Sequence, residues 1–228
     1  KNLKDFRVAI WPTDEMAPVT AEIADRATMV GETLSRLGAT VSDLARPDID
    51  LYRAQGNYHT LLNTVMTGAM DDGAVAEAQA NADQFDSSDN SMAAIAARSV
   101  VLSHRDWMRS NTQREQLRHA WSAFFEEWDI LICPQMATAA FPHDHSQMSE
   151  RTLKVDNEEQ DYFQQIFWAG MAVNAYLPST VFPTGLSREG LPIGLQAVSA
   201  PYRDYRTIEF TRLISREIGG FIQPGGYG

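Results

Sequence analysis

The segment Trp128-Asp129-Ile130-Leu131-Ile132-Cys133-Pro134 passes directly from helical periodicity into an unbroken apolar run that a proline closes. An alternating strand would have one wet face. This run has none, so it reads as a central strand buried on both faces of a mostly parallel sheet. Pro134 cannot donate to a ladder and ends the strand. A strand of this kind must be covered on both sides, which commits the chain to a layered α/β architecture. It also indicates where chemistry gathers, because ligands of open α/β sheets bind beyond the carboxyl ends of the parallel strands.

Strand and helix signals alternate ahead of it. Arg7-Val8-Ala9-Ile10-Trp11 is β-rich and ends at Pro12. Thr20 then stands as an N-cap with Glu22 in the first turn, and Ile23, Ala27, Val30, Leu34 and Leu37 recur at spacings of three and four. They make the buried stripe of one helix, which Gly38 stops. Ala39-Thr40-Val41 adds a second strand, giving a βαβ-like opening. The first βα loop carries no GxGxxG or P-loop pattern, so no nucleotide is implied.

Residues 50–70 read as a helix with Leu51, Tyr58, Leu61, Leu62, Val65 and Met66 on its apolar side, followed by a loop over 68–73 and an alanine-rich helix over 74–82. The polar, acidic stretch from Asn81 to Asn90 is expected to be a mobile surface loop. One helix is expected from Met92 past Trp107 and the next from about Thr112. The latter carries Leu117, Ala120, Trp121, Phe124, Phe125 and Trp128, an aromatic stripe at helical spacing that core packing explains without a ligand. Gln135 to Gln160 is long, polar and mostly without periodicity, and reads as a binding loop, a lid or a disordered segment. A helix follows from Asp161 to Ala175, presenting Phe163, Ile166, Phe167, Gly170 and Met171. Leu177 to Gly185 and Gly190 to Gln196 place two strands around a glycine-bounded turn. Asp204 to Ile218 closes the fold as a helix capped by Gly219-Gly220, and the tail through Gly228 is expected to fray. The expectation is one α/β domain over 1–228, with a mixed, mainly parallel sheet covered by helices.

Composition narrows the function classes. With 228 residues, 44% of them apolar and 21% charged, the chain can bury a substantial core and is not a disordered sequence. The formal charge of -11, with only Lys1, Lys4 and Lys154 as lysines, argues against nucleic acid as a partner. No run approaches the length of a membrane span. Lys1-Asn2-Leu3-Lys4-Asp5-Phe6 has neither an initiator Met nor an apolar core, so it reads as neither signal peptide nor natural start. Cys133 is the single cysteine and lies in the apolar run, where it reads as a buried small hydrophobe in a reducing, cytoplasmic setting.

Three elements, in order, resemble the C-terminal part of amidase signature enzymes. The first is the charged helix Gln113-Arg114-Glu115-Gln116-Leu117-Arg118 running into Phe125-Glu126-Glu127-Trp128 and the strand ended by Pro134. The second is the proline-spaced strand from Pro178 to Pro183 joined to Gly190-Leu191-Pro192-Ile193-Gly194-Leu195-Gln196. The third is the acidic-led helix from Asp204. Two departures stand out: Tyr176 occupies a position where a small residue, usually glycine, is expected, and Ser199 replaces the usual glycine after the second strand.

The resemblance implies hydrolysis of non-peptide carboxamide C–N bonds by a serine nucleophile, a bridging serine and a buried lysine, with a Gly-Ser-Ser-Gly-Gly-like loop donating to the oxyanion. No such loop occurs in this sequence. A serine hydroxyl is inert without an adjacent base, and the oxyanion needs preorganised donors. Ser87-Ser88 lies between Asp86 and Asp89, whose carboxylates would oppose an oxyanion, and no glycines flank it. Catalytic residues are therefore expected outside this chain. What the resemblance assigns to this part is pocket wall, from the segment after Pro134 and the helix before Asn174: Gln135, Met136, Phe167, Trp168 and Met171.

Other constellations carry less. His143-Asp144-His145 contains good metal ligands but no third ligand at a metal-site spacing, and reads as an exposed polar turn. Glu126-Glu127 and Glu158-Glu159 are adjacent charges that do not face each other on a helix. No cofactor or metal is implied. The expected partners are a small amide substrate in the full-length enzyme, the N-terminal half of the same enzyme and a second copy of the chain, with neither nucleic acid nor membrane. The alternative is a non-catalytic binding or interaction module on the same scaffold.

Overall fold

The computed structural model describes residues 2–226. Lys1 and the last two residues of the expected fraying tail, Tyr227 and Gly228, lie outside them. The chain divides into two compact units, one formed by 1–48 with 121–228 and one by 49–120.

The first unit is the α/β unit. Its elements are β1 (Arg7–Ile10), α1 (Ala21–Arg36) and β2 (Thr40–Ser42), and its share of the chain resumes near the end of a helix that leads into β3 (Ile130–Pro134). The strands β1, β2 and β3 are parallel, with Val8 opposite both Val41 and Ile130. The antiparallel strands β6 (Ser179–Leu186) and β7 (Pro192–Val198) complete a mixed sheet of order β2-β1-β3-β7-β6. All five residues of β3 are buried, as the unbroken apolar run requires.

Helix α1 packs on β1, β2 and β3 through Ile23, Ala27, Val30 and Leu34. Leu37, expected on the same stripe, is 37% exposed because it lies past the last helical residue. Gly31 lets α1 approach closely, since a Cβ there would stand 3.1 Å from Ile10 Cγ1. Helix α7 (Asp204–Ile218) covers β6 and β7 with Phe210 and Ile214, and Phe210 meets Phe6 edge-on at 5.2 Å. Trp121, Phe124 and Phe125, from the aromatic stripe, are buried against one another with ring centroids 5.1–5.8 Å apart.

Strand β6 is an edge, and its backbone is guarded. Pro183 lacks an N–H, and the register shifts between Pro183 and Gly185. Beyond that bulge the Arg26 guanidinium of α1 donates to Thr184 O at 3.2 Å and Leu186 O at 2.6 Å.

The stretch read as an aperiodic loop contains a hairpin, β4 (Thr152–Val155) and β5 (Glu158–Asp161). Leu153 and Val155 are buried while Thr152 and Lys154 face solvent, an alternation too short to stand out against the polar residues around it. The turn is Asp156-Asn157, with Asp156 at φ 53°. The helix expected from Asp161 begins as a 3-10 segment, Tyr162–Ile166, and becomes α6 at Phe167–Asn174.

The second unit is helical: α2 (Leu51–Met66), α3 (Asp72–Ala82), α4 (Met92–Val100) and the first turns of α5 (His104–Glu127). Each start has its cap. The side chains of Asp50, Asp71 and Ser91 accept from the N–H groups of Arg53, Ala74 and Ala94, and Ser103 Oγ accepts from Asp106 N. The last of these corrects the sequence expectation. The helix break falls at Val101–Ser103 and not near Thr112, because Ser103 followed three residues on by Asp106 is a helix-start pattern. The acidic turn expected to be mobile is tied down: the Arg98 guanidinium donates to Asp86 O at 2.9 Å and also to Asp89 O.

Candidate functional site

Because β1 and β3 are parallel neighbours, their carboxyl ends open side by side, and the residues leaving them share one edge of the sheet. Trp11 N–H donates to Ile132 O at 2.8 Å, and Thr20 N–H donates to Ala137 O at 2.9 Å, so the two outgoing segments are bound to each other. Helix α6 joins them. Trp168 Nε1–H donates to Ala17 O at 3.1 Å, and the Trp168 ring stands edge-on to Trp11 at 5.8 Å and to Phe167 at 5.3 Å. The three aromatic side chains form a packed, buried cluster at this crest of the sheet.

A single buried side chain fastens the elements around this cluster. Gln196 on β7 donates through Nε2 to Pro134 O and to Trp168 O, both at 2.9 Å, while its Oε1 accepts from Ser179 Oγ at 2.7 Å. The end of β3, the start of α6 and the start of β6 are thus held by one carboxamide. Charge at the crest comes from Arg46, whose Nη1 donates to Ala45 O at 2.8 Å and Ile10 O at 3.1 Å and whose guanidinium lies 4.8 Å from the Trp11 ring centre. Burial pulls its pKa down, and the nearby Asp14 and Asp43 act in the opposite sense. Cys133, fully buried under the crest, has its thiol pushed up to about 12 by that burial, against weaker opposing effects of Gln196 and Arg46. A thiol so placed is a packing group and not a nucleophile.

Of the five residues assigned to the pocket wall, Phe167 and Trp168 are buried, and Gln135, Met136 and Met171 are partly exposed. Gln135 and Met136 leave the end of β3, and Met171 lies one turn beyond Phe167 on α6. Trp11, Arg46 and Gln196 were not singled out from the sequence. Gln196 did leave a signal, as the one polar side chain inside Ile193-Gly194-Leu195-Gln196-Ala197-Val198. Trp11 and Arg46 left none, because their meeting depends on how the loops after β1 and β2 turn.

The remaining candidates have local roles. Ser88 gives its hydroxyl hydrogen to Asp86 Oδ1 at 2.6 Å, in an exposed turn, and that bond lowers the pKa of the carboxylate, which makes it a weak base. Lys4 and Lys154 are exposed. His143 and His145 are exposed with rings 6.1 Å apart, and Asp144 between them accepts from Ser146 N and Oγ. Among the described residues no group of three or more His, Cys, Asp or Glu side chains could hold a metal ion, and no helix is long and apolar enough to cross a membrane.

Comparison with known proteins places these features. A family model described as "Amidase" matches residues 1–208. The indoleacetamide hydrolase of Bradyrhizobium diazoefficiens is 26% identical over 220 residues, which cover 94% of this chain and 38% of that protein. This chain therefore spans well under half the length of that relative. Among solved structures, a 6-aminohexanoate cyclic dimer hydrolase superposes with a TM-score of 0.63 at 20% identity, over 93% of this chain and 45% of that one. A bacterial aryl acylamidase of the amidase signature family gives 0.61 at 18% identity, over 92% and 43%. At such identities the two structural likenesses speak for the fold.

Proposed function

The chain belongs to the amidase signature family, and from that premise we propose that it is the C-terminal part of a hydrolase of non-peptide carboxamide bonds. In this reading it supplies scaffold and substrate-pocket wall, and an N-terminal half of the same enzyme supplies the nucleophilic serine, the bridging serine and the lysine. The observation that carries the reading is the family match over 1–208 in a sequence without a Gly-Ser-Ser-Gly-Gly-like loop. The exposure of Lys4 and Lys154 supports it, since a lysine serving as base needs a desolvated site.

The crest at the ends of β1 and β3 is the part of this chain suited to a substrate. Its partly exposed side chains are Gln135, Met136 and Met171, while Trp11, Phe167 and Trp168 are buried in the scaffold, where Trp168 and Gln196 make the hydrogen bonds that fasten them. A rigid scaffold fixes the partly exposed side chains that would meet an amide, and positioning lowers the barrier only when a nucleophile stands opposite. The enzyme acts in the cytoplasm, where the one thiol, Cys133, stays reduced. Isolated from its other half the chain self-associates, because large apolar side chains such as Val181, Ile208 and Phe221 are exposed.

The test is amide turnover by this chain alone and after mixing with a separately expressed N-terminal half carrying the serines and lysine. No turnover alone and turnover on mixing is the expected result. Turnover by the isolated chain would overturn the proposal, and failure on mixing would favour a non-catalytic binding module.

A further inference from the structure

The helical unit, residues 49–120, closes with little buried apolar surface. Among the described residues the apolar side chains it buries are Leu61, Ala82, Ala94 and Ala97, and of these Leu61 alone is large. Val65, Met66, Met70, Val75 and Met108 are exposed. Polar bonds do much of the joining instead. Asn63 Nδ2 donates to Ser99 Oγ and Thr64 Oγ1 to Ser99 O, both at 3.1 Å, which ties α2 to α4. Asn57 Nδ2 donates to Ser110 O at 2.8 Å and ties α2 to α5. Each such bond replaces one made to water, so it stabilises the closed unit less than burial of a large apolar side chain would. A cleft of about 390 Å³ also lies among these three helices, where side chains would otherwise pack.

The α/β unit is built in the opposite way, with Val8, Ile10, Ile130, Leu131 and Ile132 all buried in β1 and β3. The contrast divides a single helix. α5 runs unbroken from His104 to Glu127, yet its buried residues are Trp121, Phe124 and Phe125, all past the division at Ala120. Segments with few buried apolar contacts open at the lowest free energy. We infer that the helical unit is a separately opening element: α2, α4 and α5 as far as Ala120 open together while the α/β unit stays folded. Its order is therefore the adjustable property of this chain, which a molecule bound to the closed helices would set without remaking the sheet. The inference rests on burial and not on the hydrolase reading.

The experiment is native-state hydrogen exchange on the full chain, resolved by residue, across urea concentrations below the unfolding transition. Amides of α2, α4 and the part of α5 before Trp121 should converge on one opening, more frequent than the one that exposes β1 and β3. Within α5 the amides from Phe125 onward should exchange with the sheet, because the Phe125 N–H bonds to the carbonyl of Trp121 and not to the opening part. Ile132→Val supplies the second measurement. It weakens β3, which is folded on both sides of the opening, so exchange in β1 and β3 should quicken about fivefold while α2 and α4 keep their rates. One shared opening for all these amides, or equal acceleration of α2, α4 and the sheet by Ile132→Val, would overturn the inference. Exchange of α2 and α4 at the rate of an unstructured chain would also overturn it, since the unit would then have no closed state.

Discussion

The carboxylate of Asp156, at the tip of the β4–β5 hairpin, accepts a 2.9 Å hydrogen bond from the backbone N–H of Ala21, the first residue of α1. Thr20, the residue in the N-cap position, makes no side-chain cap bond, so the cap comes from a hairpin 135 residues further along the chain. A carboxylate there also complements the positive end of the helix. Asp156 stands at φ 53°, which Asp and Asn tolerate better than alanine. Asp156→Ala should therefore lose both effects, about 2 kcal/mol in all, whereas Asp156→Asn should keep more than half of that stability. Urea unfolding of the two variants checks this, and equal midpoints for both would show that the hairpin does not cap α1.

The elements that sequence revealed are those with a long or unbroken pattern. The run ending at Pro134 and the stripe of α1 were readable because burial on one or both faces leaves an unambiguous periodicity. The β4–β5 hairpin was not, since only Leu153 and Val155 are buried and four residues cannot outweigh the polarity around them. The helix break at Val101–Ser103 was written in Ser103 and Asp106 but masked by helix-favouring residues on both sides. At the candidate crest, α6 and the segment after Pro134 followed from the family resemblance, whereas Arg46 over Trp11 arises from tertiary approach alone. The replacement of an expected glycine by Ser199 has a local reason: its Oγ donates to Asp129 O at 2.8 Å, a bond glycine could not make.

Tyr176 shows the opposite case. It stands at φ 55°, in the left-handed region, between α6 and β6, and its side chain is half exposed. A left-handed conformation costs an L residue with a Cβ about 1–2 kcal/mol, which explains why a small residue is expected there. Tyr176→Gly removes that strain, though glycine's greater freedom in the unfolded chain offsets part of the gain. The expected outcome is a net stabilisation of about 0.5–1 kcal/mol, seen as a thermal midpoint raised by a few degrees. A lowered midpoint would mean that the contacts of the ring outweigh the backbone strain.

Cys133 makes the stability of the chain depend on alkaline pH. Burial pushes its thiol from 9.0 up to about 12, so the folded state favours the protonated form. A raised folded pKa contributes stability that is fully present below pH 9.0 and declines as pH rises from there toward about 12. Cys133→Ala, which cannot ionise, should flatten that alkaline decline while losing packing at all pH values. In the native chain at about pH 8 the thiol should be inert to a maleimide and react only after denaturation. Stoichiometric native labelling within minutes would contradict its burial.

Gln196 joins three elements at the candidate crest, so its removal has a structural and a functional consequence. Gln196→Ala removes one hydrogen bond each from the carbonyls of Pro134 and Trp168 and from the hydroxyl of Ser179. Two buried carbonyls that each lose one donor should cost about 2 kcal/mol. Gln196→Glu fills the same space but offers no second donor, and its carboxylate would face two carbonyl oxygens, so it should be no better than alanine. Because the lost bonds anchor the start of α6, the Trp168 ring should lose its fixed contact with Trp11, read as a change in near-ultraviolet circular dichroism at temperatures where the variant remains folded. If the proposed function holds, mixing with an N-terminal half should give an enzyme in which Gln196→Ala lowers kcat/KM even for substrates that never touch Gln196. A variant with unchanged near-ultraviolet spectrum and unchanged kcat/KM would show that the aromatic cluster is held by packing alone.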